Sequence, residues 1–206
     1  MHSVSTYKFK CRNEGMELTR EQGDELIRAA REAIAHYFQY GEEPSVLRGV
    51  DLDKYPEPQG VFVTLRRKKE LRGCVGFPLP MFPLGRAVVK SAIAAAFEDF
   101  RFPPLTKPEM EEITIELSVL TVPERVEVER GAEYLEKIGI GRDGLIIEHG
   151  GMSGLLLPQV PVEQGWGAKE FLDNLCMKAG LPPGSWKKEG VVIKSFQAQI
   201  FNEGKE

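Results

Sequence analysis

The residues best placed to do chemistry are a guanidinium and a thiol two positions apart, Arg72 and Cys74, in Leu71-Arg72-Gly73-Cys74-Val75-Gly76. Read as a strand, this stretch alternates faces. Leu71, Gly73 and Val75 point one way, and Arg72 and Cys74 the other. A cation beside a cysteine favours the thiolate, the form that attacks electrophiles and binds metals. On that reading the Cys74 pKa falls below the ordinary value of roughly 8.5. Gly73 and Gly76 carry no side chain, which leaves room for a ligand or another backbone. The plainer reading is a core cysteine with glycines that ease packing, since free cysteine is among the most buried residue types. Residue chemistry alone favours the plainer reading and names no reaction.

Several familiar sites are excluded. Cys74 lacks the downstream arginine of a phosphatase loop, and its glycines do not lead to Lys-Ser or Lys-Thr, so there is no P-loop. There is no Gly-x-Ser-x-Gly elbow and no Cys-x-x-x-Cys-x-x-Cys cluster motif. Cys11, Cys74 and Cys176 are odd in number and widely spaced, which argues against a disulfide framework or structural zinc. His2, His36 and His149 make no metal-ligand spacing. No metal or other cofactor is expected.

The 206 residues suffice for one domain, or two small lobes sharing a core. A net charge of −4 provides no basic field for DNA or an anionic membrane. No apolar run is long enough to span a bilayer, and Met1 to Lys10 lacks the apolar centre of a signal peptide. A reducing cytoplasm is the simplest compartment.

The elements that must position Cys74 follow from periodicity. Residues 1–17 read as an arm, with a short strand near Tyr7 to Phe9. Thr19-Arg20-Glu21-Gln22 is a capping box opening a helix that ends near Gly41. Val61 to Arg66 and the hexapeptide form a hairpin. The expected register sets Arg66 opposite Glu70 and Val63 opposite Gly73, leaving one face apolar and Phe62, Thr64, Arg72 and Cys74 on the other. The basic turn Arg67-Lys68-Lys69 is a solvated tip or, more sharply, a phosphate-binding patch.

A proline-rich loop leads to a helix over Leu84 to Phe97. Its charged and aromatic exit is Glu98-Asp99-Phe100-Arg101-Phe102-Pro103-Pro104-Leu105. Ile113 to Leu120 alternates as a strand. Val126 and Val128 suggest a short strand, Ala132 to Lys137 a short helix, and Leu145 to Pro158 a second hairpin. Pro161 and Gly165-Trp166-Gly167 read as loop. Ala168 to Ala179 is a helix with Cys176 on its inward stripe, so Cys176 should be inert. Val191 to Phe201 reads as one closing strand. The two halves share a layout of hairpin, proline loop, helix and Pro-Pro exit, a sign of internal duplication. The fold class is α+β, with a largely antiparallel sheet and flanking helices.

The chain resembles the AMMECR family. The resemblance rests on the hexapeptide, on Asp99-Phe100-Arg101-Phe102-Pro103-Pro104-Leu105 with the strand after it, on Gly144-Leu145 with Leu156-Leu157-Pro158-Gln159-Val160, and on Trp166. It runs from about Gly23 to Phe201, with archaeal kin. It implies two lobes of unequal size within one domain over residues 18–206. It also implies a setting beside Memo-like and radical SAM proteins, in a modification pathway acting on RNA or a small molecule. The family has no settled activity.

Two functions stay open. In the first, the chain is an enzyme or enzyme subunit. Cys74 is then nucleophile or covalent carrier, Asp99 an orienter or base, and Arg72 and Arg101 bind an anionic small molecule or nucleotide in one cleft shaped by Gly73 and Gly76. In the second, the hexapeptide and the Phe-Pro-Pro segment form the recognition surface of a binding or adaptor module.

Overall fold

In the computed structural model, which describes residues 17–204, the first helix begins and ends on its local signals. The Gln22 N–H donates to the Thr19 hydroxyl at 3.2 Å, and the Thr19 N–H donates to the Gln22 side chain at 2.8 Å. These bonds open α1 (Arg20–Tyr40), which Gly41 closes at φ 74°. The N-terminal arm with its Tyr7 to Phe9 strand, and Cys11, lie outside the described residues apart from Glu17.

The strands are β1 (Gly60–Arg67), β2 (Glu70–Phe77), β3 (Ile113–Leu120), β4 (Glu124–Arg125), β5 (Gly144–His149), β6 (Met152–Leu156), β7 (Val192–Phe196) and β8 (Ala198–Asn202). The further helices are α2 (Leu84–Phe97), α3 (Tyr134–Lys137), α4 (Gln159–Gln164) and α5 (Ala168–Lys178). The strands divide into two four-stranded sheets, ordered β2-β1-β3-β8 and β4-β7-β5-β6.

The chain forms two compact units. The larger holds Leu18–Val122 and residues 199–204. Its core joins Val61, Val63 and Leu65 of β1 and Ile115 and Leu117 of β3 to Leu26, Ile34, Val88 and Ala92 of the helices. The alanines of α2 let it lie close on the sheet: a Cβ built on Gly73 of β2 would sit 2.2 Å from the Ala95 carbonyl oxygen. The smaller unit includes Pro123–Ala198. Leu145, Ile147 and Ile193 pack there on Phe171, Leu172, Leu175 and Cys176. Here Gly154 makes the close approach, with a built Cβ 2.6 Å from the Ala179 nitrogen.

Read from the second strand of each hairpin, the two sheets have the same order, β2-β1-β3 and β6-β5-β7. Each is completed by the strand that follows the other's third strand, since β8 joins β3 and β4 joins β7. The two sheets thus repeat one strand order, in keeping with the shared layout of the two halves.

Four expectations need correction. The hairpin closes through Lys68-Lys69 alone, at φ 51° and 71°, the left-handed pair that a two-residue turn requires. Arg67 therefore faces Glu70, Arg66 faces Leu71 and Leu65 faces Gly73, which leaves Arg72 as the extra residue of a bulge. Beyond the bulge the pairing differs from expectation by two residues, an even number, so the faces stand. The closing segment is two strands, β7 and β8, because its residues join different sheets. Pro161 lies inside α4 rather than in a loop, in the first turn, where a missing N–H costs little. The short strand after Pro123 is Glu124–Arg125 rather than Val126 to Val128.

Candidate functional site

β2 is the edge of its sheet, so alternate peptide groups point outward with no strand to meet them. At Cys74 two side chains take the place of that strand. Asp99 accepts the Cys74 N–H at 2.9 Å, and the Arg101 guanidinium donates to the Cys74 carbonyl at 3.0 Å. Arg101 in turn grips Asp99 through Nε at 2.9 Å and Nη2 at 2.6 Å, and its own N–H donates to the same carboxylate at 3.2 Å. Both residues follow α2 directly, and the Phe102 N–H to Asp99 carbonyl bond tightens the turn that aims them. Their inward turn leaves Phe100 between them 96% exposed.

The Asp99 side chain is 4% exposed. Its carboxyl is held down at about 2, chiefly by Arg101, with the Cys74 and Arg101 backbone N–H groups adding to the effect. An anion this stable, with its oxygens committed, is a poor proton acceptor. Asp99 orients the Cys74 peptide rather than acting as a base.

Arg72 does not flank the thiol. The bulge turns it to Glu109, which it meets through Nε at 2.8 Å and Nη2 at 3.1 Å. Glu109 also accepts the Thr106 N–H and hydroxyl at 2.9 and 2.8 Å. Arg72, ahead of these Thr106 bonds, holds the Glu109 carboxyl down at about 2. The guanidinium carbons of Arg72 and Arg101 lie 6.0 and 5.5 Å from the Phe102 ring centroid, so the two arginines converge on that ring. Arg101 alone of the two bonds to Cys74.

The expected acidic thiol is therefore corrected. Burial pushes the Cys74 pKa up, Thr64 and Arg101 pull against it, and the charges of Asp99 and Glu116 add to the rise. Gly73 and Gly76 likewise make room for protein. A Cβ on Gly76 would sit 2.1 Å from the Val61 carbonyl oxygen, and one on Gly73 would meet α2.

The structure adds residues that sequence reasoning left out. On the face turned away from α2, Cys74 stands directly opposite Thr64, and Thr64 opposite Glu116 on β3. The Thr64 hydroxyl donates to Cys74 Sγ at 3.2 Å. Cys74 directs its peptide outward, which makes this a non-hydrogen-bonded strand pair, the closer kind for side chains. Glu116 is 3.6 Å from Arg66. One rung along, Ser118 lies opposite Phe62 and is fully buried. The polar phase of β3, Thr114-x-Glu116-x-Ser118, was visible in the sequence, and only the sheet order shows that it continues the face bearing Cys74. Glu109 was signalled by Thr106-x-x-Glu109, a capping-box spacing.

Cys176 is fully buried, and burial raises its pKa. Among the described residues no group of three or more His, Cys, Asp or Glu could hold a metal ion, and no helix is long and apolar enough to cross a membrane.

Comparison with known proteins finds relatives that match most of the chain. Protein MK0488 of Methanopyrus kandleri is 52% identical over 192 residues, covering 92% of each chain. Protein MJ0810 of Methanocaldococcus jannaschii is 51% identical, over 90% of this chain and 92% of the relative. The crystal structure of uncharacterized protein PH0010 from Pyrococcus horikoshii matches with a TM-score of 0.85 at 47% identity, over 90% of this chain and 93% of that one. The AMMECR1 family model matches residues 27–201, a span that takes in the hexapeptide on β2, the loop that seals its edge and both sheets, and the chain belongs to the AMMECR1 family.

Proposed function

We propose that this chain is an enzyme or enzyme subunit that works through Cys74. One observation carries this reading. Aligning the helix-facing Gly73 with Gly154 equates Cys74 and Thr64 with Leu155 and Ile146, which pair in the smaller unit's hairpin. The repeated fold accepts two aliphatic residues there, so a thiol bonded to a hydroxyl is a choice beyond what packing needs. Asp99 positions the Cys74 peptide. Arg101, with its side chain 43% exposed, is the group for an anionic small molecule or nucleotide, and Arg72 braces the bulge through Glu109. The setting is a cytoplasmic modification pathway on RNA or a small molecule, with Memo-like and radical SAM proteins as partners, as the family resemblance implies.

The test is alkylation of the folded protein by iodoacetamide, with Cys11→Ser and Cys176→Ser present and mass spectrometry locating the adduct. Labelling of Cys74 faster than global unfolding is expected. Labelling only on unfolding would end the proposal.

A second reading, a binding or adaptor module, is favoured by Phe100. An aromatic held almost fully in solvent by its two neighbours is a ready interface anchor. On this reading Phe100→Ala abolishes binding to a purified Memo-like partner while Cys74 labelling is unchanged. Undiminished binding would remove it.

A further inference from the structure

The raised thiol pKa poses a problem for the enzyme reading, because Cys74 is protonated at neutral pH and needs a base. Asp99 is committed to Arg101 and to backbone N–H groups. The other carboxylate whose charge raises the thiol pKa is Glu116. Its 3.6 Å approach to Arg66 is looser than the 2.6 Å grip of Arg101 on Asp99. Thr64 stands between Glu116 and Cys74 in the register.

We propose that Cys74, Thr64 and Glu116 form a relay for nucleophilic attack on an activated acyl group, with Glu116 as the terminal base. This rests on the reading of Cys74 as nucleophile and supplies its missing activation. The three residues occupy one rung across β2, β1 and β3 on one face of the sheet. Thr64 is 5% exposed and its hydroxyl lies within hydrogen-bonding reach of Sγ, which gives the first link the geometry that proton transfer requires, and Glu116 is its cross-strand neighbour on β3. Next to this rung, the Ser118 hydroxyl is fully buried with no hydrogen-bond partner among the described residues.

The smaller unit provides an internal contrast. Its equivalent rung is Leu155, Ile146 and Lys194. Lys194 pairs with Glu148 at 2.8 Å, in the places of Glu116 and Arg66, with the charges reversed. The fold asks for an ion pair at that end of the rung but is indifferent to its sense. Only the larger unit puts the carboxylate in line with a hydroxyl and a thiol.

In the step itself, the Thr64 hydroxyl, which donates to Sγ at rest, turns to Glu116, so that the S–H proton passes to Thr64 Oγ1 as the Thr64 hydroxyl proton passes to a Glu116 oxygen. The sulfur attacks the acyl carbon, the C–S bond forms, and the bond to the leaving group breaks. Glu116 then returns its proton to the departing group or to water, so no oxidant or reductant is needed.

The probe is p-nitrophenyl acetate, with Cys11→Ser and Cys176→Ser present. Release of p-nitrophenolate gives the rate, and mass spectrometry locates the acetyl group on Cys74. The relay predicts at least a tenfold slower acetylation at neutral pH for Glu116→Gln and for Thr64→Val, with Glu116→Asp and Thr64→Ser recovering part of it. Electrostatics alone predicts the opposite sign for Glu116→Gln, because removing a negative charge beside the thiol lowers its pKa and speeds the reaction. An unchanged or faster Glu116→Gln, or an unaffected Thr64→Val, overturns the relay. If Glu116→Gln does not fold, the contrast between Thr64→Val and Thr64→Ser decides. Iodoacetamide labelling of folded Cys74 with no effect of these variants on acetylation defeats the relay alone, whereas absence of both reactions in the folded protein defeats the nucleophile reading itself.

Discussion

Asp99→Asn removes the charge from the carboxylate that seals the edge of β2, and the structure sets the size of the loss. The side chain is 4% exposed and accepts the Cys74 N–H and three N–H groups of Arg101. Its folded pKa is about 2, against an unfolded value of about 3.9, and that difference corresponds to about 2.5 kcal/mol of stability. Hydrogen bonds to charged groups give a similar scale, roughly 1.5–3 kcal/mol. Asparagine still accepts the Cys74 N–H, so a loss of about 2 kcal/mol is expected at pH 7. The folded pKa is depressed, so this stabilisation is fully present above the unfolded pKa and disappears as pH falls through the folded one. Urea unfolding of both proteins from pH 7 to pH 2 should show the gap closing across that lower window. Glu109 titrates in the same range and contributes equally to both proteins, so the difference isolates Asp99. A gap below about 0.5 kcal/mol at pH 7, or one that does not change with pH, would refute the edge-sealing role.

Other outcomes follow from the same geometry. Arg72→Ala breaks a bidentate pair whose partners are each 12% exposed, at a cost of about 2 kcal/mol in urea unfolding, yet should leave the pH midpoint of Cys74 alkylation unmoved; a rise in that midpoint would place Arg72 beside the thiol after all. Gly73→Ala forces a Cβ to 2.2 Å from the Ala95 carbonyl oxygen, and denaturant titration should show a loss of about 3 kcal/mol. A neutral result would mean that α2 can shift away from the sheet. Cys176 should resist alkylation until the protein unfolds, and labelling of the native protein at that position would contradict its packing on α5.

Much of the fold could be read from the chain because its signals are local. The Thr19 box and Gly41 delimit α1, and the alternation of Ile113, Ile115, Leu117 and Val119 marks β3. The misreadings occur where a nonlocal choice decides. Nothing in Val191 to Phe201 says that the chain changes sheets midway, because both pieces alternate alike. The Arg72 bulge depends on Lys68 and Lys69 adopting a backbone conformation that their residue type disfavours. The site was legible in part for the same reason. Cys74, Asp99 and Arg101 do come together, as their shared neighbourhood suggested. The pairing of Arg72 with Cys74 rested on unbroken alternation, and one extra residue in the strand undid it. Thr64 could be read onto the face of Cys74 from the hairpin, whereas Glu116 joined that face only through the order β2-β1-β3, and charge was misjudged because desolvation outweighs a cation that sits elsewhere.

The most direct test of Cys74 as an activated nucleophile compares its acetylation by p-nitrophenyl acetate in the folded protein and in urea, at neutral pH, with the other cysteines replaced by serine. Burial alone makes the folded thiol slower than the unfolded one, because less of it is thiolate. The account predicts the reverse, a folded rate above the unfolded rate, because the Thr64–Glu116 base removes the proton during attack. A folded rate below the unfolded one would contradict it and leave Cys74 as a packing residue on a sealed sheet edge.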